Sequence, residues 1–408
     1  MCFCLCVMLM AAETGDEAPR YVFINKAPGI EWDAGHPDSF TRDGFDEIRD
    51  AINPPGNPHL QLGVSFVFDF LRYDLDLVAQ SLQRFLELSL KTNMPVLVNL
   101  DGMNWWGHRP DLWNWWDPDA PGYDPDNRHN VEWYDWGPEH AVRIGWRNWG
   151  HQIRVLPMMN MASPAVVKAH QEALRRLLPL VAEWWQALPE NKKWLLGGVK
   201  LGHEASIGVN AYYYPQGNAL ADMPATQDPE HGLDFSQGWH GGLQPLGYAA
   251  ATTLGLKDSG ELARDDIAKI IHGYLAMLAK EAHRAGLPRE IVFTHQGGNY
   301  APWEKTMPWW PAFNEWSAPG WSFYFTDPAD ADGLGAALDK HGTGRWAAVE
   351  WWWHGENAAG WRDHFERTLS FRDCRFVVVY NWNCGLSLKQ HPDGIDALNA
   401  MFGKTPAL

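Results

Sequence analysis

The chain has 408 residues, 46% of them hydrophobic, and a formal net charge of -17; that supplies a sizeable core within one decorated domain, since (β/α)8 chains run from ~250 residues to beyond 400 with insertions. The negative balance, with no compensating run of Lys or Arg, opposes a phosphate backbone and argues against nucleic acid as a partner. After the first dozen residues no stretch stays apolar for the ~18 residues that a membrane span needs, so no membrane span is expected.

Residues 1–12 form a short apolar run ending in Ala11-Ala12-Glu13, the length of a secretory h-region before a small-residue site, although a basic n-region is lacking. This segment is expected to be the remnant of a signal peptide, which makes the protein secreted or periplasmic, with residues 20–408 as a single catalytic domain. Cys2, Cys4 and Cys6 lie in that run, leaving Cys374 and Cys384 beside the apolar stretch 376–382. If that stretch is a strand, its ends are too far apart for a disulfide, so both are expected as free thiols.

In chain order, strands are predicted at 21–25, 60–68, 95–101, 195–204, 291–296, 321–326, 346–352 and 376–382. Helices are predicted between or after them at 43–52, 75–92, 165–187, 265–285, 330–340, 358–369 and 394–402, with a weaker one at 311–316. The clearest helix places Leu77, Val78, Leu82, Phe85 and Leu86 near a 3.6-residue period, with Asp74 set to cap its start and Asn93 marking its end. Alternation of short β-rich runs with longer helical patterns indicates a parallel sheet of βα units. No Gly-rich phosphate loop follows the first strand, which argues against a doubly wound dinucleotide fold. Eight units predict an α/β fold of the closed (β/α)8 TIM-barrel class.

Two connections, 102–164 and 205–264, far exceed the ~2 to 6 residues usual in such units. Both follow strands, which in a barrel puts them on the C-terminal face where active sites are built. The first carries Asp101 at its base, then Asn104, Trp105, Trp106, His108, Asp111 and Asp117; the second carries Tyr212, Tyr213, Tyr214, His231, Trp239 and His240. They read as walls of a cleft, with a subdomain or an oligomer contact as the alternative. The chain has 25 Trp, many in polar loop surroundings, and an indole face suits the C–H face of a sugar as well as it suits a core.

Two strands end in carboxylates: the fourth in Lys200-Leu201-Gly202-His203-Glu204 and the seventh in Ala348-Val349-Glu350-Trp351-Trp352. Glycosyl transfer through an oxocarbenium-like transition state needs two carboxyl groups across the scissile bond, one to protonate the leaving oxygen and one to attack or to activate water. A carboxylate closing an otherwise apolar strand is costly unless it is paired. The structural alternative is an ion pair, for instance Glu204 with Lys200. Glu356 competes with Glu350, but it lies past the strand in an apparent loop before a helix.

With these residues the chain resembles the clan of (β/α)8 retaining glycosidases that hold an acid/base Glu at the end of strand four and a nucleophile Glu at the end of strand seven. The resemblance covers the barrel in topology, while its local motifs are short. It implies Glu204 as acid/base and Glu350 as nucleophile. The clan places Asn immediately before the acid/base, where this chain has His203, so the contact to the sugar's 2-hydroxyl would pass to an imidazole. It also implies Tyr324 on strand six as a donor to the nucleophile, and Trp382 at the end of strand eight as a sugar platform. His295, at the end of strand five, is placed to tune a carboxylate or to contact substrate; Asp101 and Asn104 are placed to bond sugar hydroxyls or equally to cap the long loop, and Trp105, Trp106 and Trp352 complete the expected carbohydrate-binding set.

The zinc helix signature is absent, since His203-Glu204 lacks the second His, and no Gly-x-Ser-x-Gly elbow is found. No metal and no cofactor are expected. An inverting barrel glycosidase, a catalytically inactive carbohydrate-binding barrel and a metal-dependent barrel hydrolase remain the alternatives. Oligomeric state, sugar and linkage are not legible.

Overall fold

The computed structural model describes residues 19–52, 59–143, 145–148, 152–155, 158–207, 211–212, 246–297, 307–341 and 344–403. The signal-peptide expectation for residues 1–12, and the loop residues Tyr213, Tyr214, His231, Trp239 and His240, lie outside them.

Eight parallel strands close into a barrel: β1 (Arg20–Lys26), β2 (Leu60–Asp69), β3 (Val96–Asp101), β4 (Leu196–Ala205), β5 (Val292–Gln296), β6 (Ala318–Tyr324), β7 (Arg345–Trp352) and β8 (Asp373–Val379). Each hydrogen-bonds its chain neighbours, and β1 closes the ring against β8 through Tyr21↔Phe376 and the pairs that follow. The helices packed outside are α1 (Asp43–Ile52), α2 (Leu75–Thr92), α3 (Pro164–Ala187), α4 (Arg264–Arg284), α5 (Leu334–Lys340), α6 (Ala358–Ser370) and α7 (Pro392–Met401). The fold is therefore the expected (β/α)8 barrel. On α2 the Asp74 side chain accepts from the amides of Asp76 and Leu77, and Asn93 turns left-handed at φ 53° to end the helix.

The barrel is filled, not hollow. Phe23, Leu97, Phe293, Val349 and Phe376 belong to one interior cluster, separate from the larger apolar layer between barrel and helices. Room for the Phe23 ring comes from Gly63 and Gly197, where an added Cβ would stand 2.4 and 2.3 Å from ring carbons.

Two strands, β6 and β8, shift from their predicted bounds. β6 begins at Ala318 and stops at Tyr324, because Phe325 adopts φ 59° and donates its N–H to Trp352 O at 2.9 Å. β8 begins at Asp373, its charged start concealed from an apolar-run reading: Asp373 pairs with Arg345 and Arg375. It ends at Val379, after which the Trp382 amide turns back to Asn25 O at 2.8 Å. The expected helix at 311–316 is only a 3-10 turn, Trp310–Ala312. There Asn314 bonds Ser317 Oγ and the Trp316 amide, which competes with helical continuation. Both cysteines are free, Cys374 buried and Cys384 exposed.

The two long connections are joined to each other. Gly145–Asn148 pairs antiparallel with Gln152–Val155 on one side and with Ala211–Tyr212 of the second connection on the other. The Glu132 carboxylate accepts the Ala249 amide at 3.2 Å, Asn160 donates to Thr253 Oγ1 at 2.8 Å, and Trp136 Nε1 donates to Gly260 O at 2.7 Å. Several loop tryptophans help tie this layer together: Trp113, Trp115 and Trp133 each donate an indole N–H to a loop carbonyl.

Candidate active site

Both glutamates sit at irregularities of their strands. Leu201 pairs with Thr294 and Ala205 with Gln296, so three residues of β4 stand against one of β5. The surplus is taken up by left-handed backbone at Gly202 (φ 76°) and at Glu204 (φ 50°), a conformation a non-glycine residue holds only when its surroundings enforce it. Here the Glu204 amide donates to His295 Nδ1 at 3.0 Å, and the Gly297 amide donates to Ala205 O at 3.0 Å. A Cβ on Gly297 would lie 2.6 Å from Glu204 O, so the approach requires glycine.

On β7, Ala348 pairs with Trp321 while Glu350 pairs with Ser322, leaving Val349 as an extra residue. Val349 fills the barrel interior, and the bulge then turns the next side chain, Glu350, inward as well.

The two carboxylates meet at one hydroxyl. Ser322 Oγ lies 3.2 Å from Glu204 Oε1 and 3.3 Å from Glu350 Oε2. The gap between those two oxygens cannot exceed the two distances together. His295 organises this junction. Its Nδ1 accepts the Glu204 amide, so the ring proton sits on Nε2, 2.8 Å from Ser322 Oγ, and leaves the hydroxyl proton for a carboxylate. Burial, then the charges of Lys200 and His203, hold the imidazole well below the usual histidine range, which keeps it neutral.

Glu350 is ringed by donors. Tyr324 OH donates to Oε2 at 3.0 Å; His203 Nε2 stands 3.1 Å from Oε1, out of line for a hydrogen bond, and Lys200 Nζ stands 3.6 Å from the same oxygen. Burial first, then the charge of Glu204, push Glu350 up to about 8, opposed by Lys200 and by the bonds from Tyr324 and Ser322. Losing the last proton of the pair would leave two negative charges around one serine, so the pair keeps one proton at neutral pH. That upward shift belongs to the pair and not to Glu350 alone, and the bond from Tyr324 with the nearby charge of Lys200 favours Glu350 as the holder of the negative charge.

The remaining expected residues separate into those at the junction and those away from it. Asp101 accepts from the amides of Met103 and Asn104 and from Asn104 Nδ2, and Asn104 Nδ2 also donates to His203 O at 2.9 Å. Both therefore clamp the first long loop onto β4, the loop-capping alternative to sugar contact. Trp105 lies at the β2–β3 side with the Arg72 guanidinium 5.4 Å over its ring, and Trp106 is buried in the core. His295 offers substrate no free nitrogen, since both are engaged as above.

Trp352 and Trp382 depart from the expected platforms. Trp352 is fully buried and packs edge-on against Trp361 and His391, and Trp382 is 1% exposed in the same outer cluster. The reason is that β8 ends at Val379, so Tyr380, not Trp382, is its last inward side chain. Glu356 is exposed beyond β7, away from the junction.

Sequence reasoning missed Ser322 and Tyr380 and gave Lys200 only a salt-bridge role. Ser322 shares the parity of Tyr324 on β6, and Tyr380 that of Phe376 and Val378 on β8, which was the available signal. Tyr380 is 8% exposed, its ring lies 5.8 Å from that of His203, and its hydroxyl has no partner among the described residues. Burial, then Glu350, Glu204 and Asp101, hold its phenol protonated far into the alkaline range.

His203, His295 and Glu350 each bring one atom within 4.8 Å of the others, the spacing of a metal cluster. Lys200 already supplies the cation there, and both His295 nitrogens are bonded, so the arrangement does not favour a metal.

No family model matches the chain, and no curated protein matches it. Solved structures do. A GH5-4 broad specificity endoglucanase from an uncultured bacterium has 10% identity and TM-score 0.40, over 92% of this chain and 86% of its own. A Bacillus subtilis mannanase has 11% identity and TM-score 0.42, over 93% and 84%. A GH26 β-mannanase from Bacteroides ovatus has 10% identity and TM-score 0.39, over 95% and 89%. At such identities and scores the functional reading rests on this chain's own residues.

Proposed function

We propose that the protein is a glycoside hydrolase that cleaves O-glycosidic bonds of an oligo- or polysaccharide with retention. The observation that carries this reading is the convergence of Glu204 and Glu350 on the single hydroxyl of Ser322 at the C-terminal mouth of the barrel. In the first step a Glu350 oxygen attacks the anomeric carbon, the bond to the leaving oxygen breaks, and Glu204 gives that oxygen its proton. A glycosyl ester on Glu350 results. In the second step Glu204 takes a proton from water, the water oxygen attacks the anomeric carbon, and the ester bond breaks to restore Glu350.

The donors around Glu350 support its part as the anion that attacks and later leaves. Glu204, joined to the same serine, supports the complementary part of proton carrier. Export to the periplasm or medium would suit a polymer substrate, and belongs to the same proposal.

Release of reducing sugar from a panel of polysaccharides and aryl glycosides tests the reading. Hydrolysis by the wild type, lost in both Glu204→Gln and Glu350→Gln, is the expected result. Oligosaccharide affinity with no product from the wild type would instead mark a barrel that only binds glycans.

A further inference from the structure

Lys200 is a lysine with no solvent exposure, inside a barrel, beneath two carboxylates. An ammonium is taken out of water only at considerable cost, so its burial calls for compensating partners. Its Nζ lies 3.6 Å from Glu350 Oε1, 3.4 Å from His203 Nδ1 and 5.3 Å from the centre of the Tyr380 ring. The charged and titratable groups facing it are Glu204 and His203 of β4, Glu350 of β7, Asp101 of β3, His295 of β5, and Tyr380 after β8. Burial disfavours its charge, while Glu350, Glu204 and Asp101 favour it.

We propose that Lys200 is a positioning residue that makes Glu350, and not Glu204, the ionised member of the pair; this rests on the glycosidase reading above. A fixed positive charge on the Oε1 side of Glu350 tips the shared proton toward Glu204. The same ammonium donates to His203 Nδ1, which leaves the His203 ring proton on Nε2, the atom that faces Glu350 Oε1. Lys200 thus acts twice on one carboxylate, once by charge and once through the imidazole it orients. It touches no reacting atom.

The test compares kcat/KM against pH in the wild type and in Lys200→Met, which keeps the length of the chain without the charge. The acidic limb, which reports ionisation of Glu350, should move up by about 1 to 3 pH units, the effect of removing an opposite charge at this range. At a pH one unit below the wild-type limb the variant should lose about tenfold or more in kcat/KM, with a much smaller loss above its new limb. A folded Lys200→Met with an unmoved limb overturns the proposal while leaving the hydrolase reading intact. Absence of hydrolysis by the wild type overturns that reading instead.

Should Lys200→Met not fold, the lysine is observed directly by 13Cε-lysine NMR in the wild type and in Glu350→Gln. The Lys200 signal should titrate at least one pH unit lower in Glu350→Gln. An unchanged titration would show the two groups uncoupled and would equally overturn the proposal.

Discussion

His295 and Ser322 lie 2.8 Å apart, Nε2 to Oγ, inside the barrel, and through that contact the backbone of Glu204 is tied to the carboxylates on both sides of the site. The order Glu204 N–H, His295, Ser322, carboxylate is a directed chain, each donor passing to the next acceptor. Chains of this kind fix geometry because breaking one bond leaves the next group unsatisfied in a buried site.

Ser322→Ala should therefore lower kcat by about 10- to 100-fold with little change in KM, as expected for loss of a group that orders the carboxylates. It also removes a donor to charged Glu350, so the acidic limb of the pH profile should move up, not down. Steady-state kinetics across pH would reveal a flat or downward response if the serine were only filler.

Glu204→Ala should retain far more activity on aryl glycosides with good leaving groups than on natural linkages, since only the latter need the proton it supplies. Rates on a series of leaving groups measure this. Equal losses across the series would remove Glu204 from the acid role.

The barrel was legible because short apolar runs alternate with helical patterns, and Glu204 and Glu350 were legible because each closes such a run. What converges with them was less so. The inward direction of Tyr380 depends on where β8 ends, and that end is set by the Trp382 amide bonding Asn25 O from the far end of the sequence. Trp352 shares the parity of Glu350, yet it packs outward against Trp361. It packs there against α6, a helix that a period-two reading of the strand does not contain. For His295 the sequence left carboxylate tuning and substrate contact both open, because nothing local announces that Glu204 offers its own amide to the ring.

Trp382→Ala should cost about 3 to 5 kcal/mol of stability, the range for truncating a buried tryptophan. Enzyme that remains folded at low temperature should keep the wild-type KM. Chemical denaturation together with kinetics checks both; unchanged stability with a raised KM would restore the tryptophan as a sugar platform.

Glu132 makes stability pH-dependent. Burial pushes its carboxyl up to about 8 from the ordinary 4.5, against the pull of the Ala249, Trp133, Ala250 and Gly247 amides. The folded state thus keeps a proton that the unfolded chain has lost. The stability from this group is complete below the unfolded value and falls as pH rises toward the folded one, at roughly 1.4 kcal/mol per pH unit between the two. Denaturation midpoints from pH 5 to 8 should decline in the wild type and decline less in Glu132→Gln. Parallel curves would contradict this.

The most direct measurement of the central claim is azide rescue of Glu350→Ala on an activated aryl glycoside. Turnover should vanish in the variant and return in part with azide, and the glycosyl azide formed should carry the anomeric configuration opposite to that of the substrate. Full activity without azide, or no rescue from a folded Glu350→Ala on a substrate the wild type cleaves, would contradict a covalent role for Glu350.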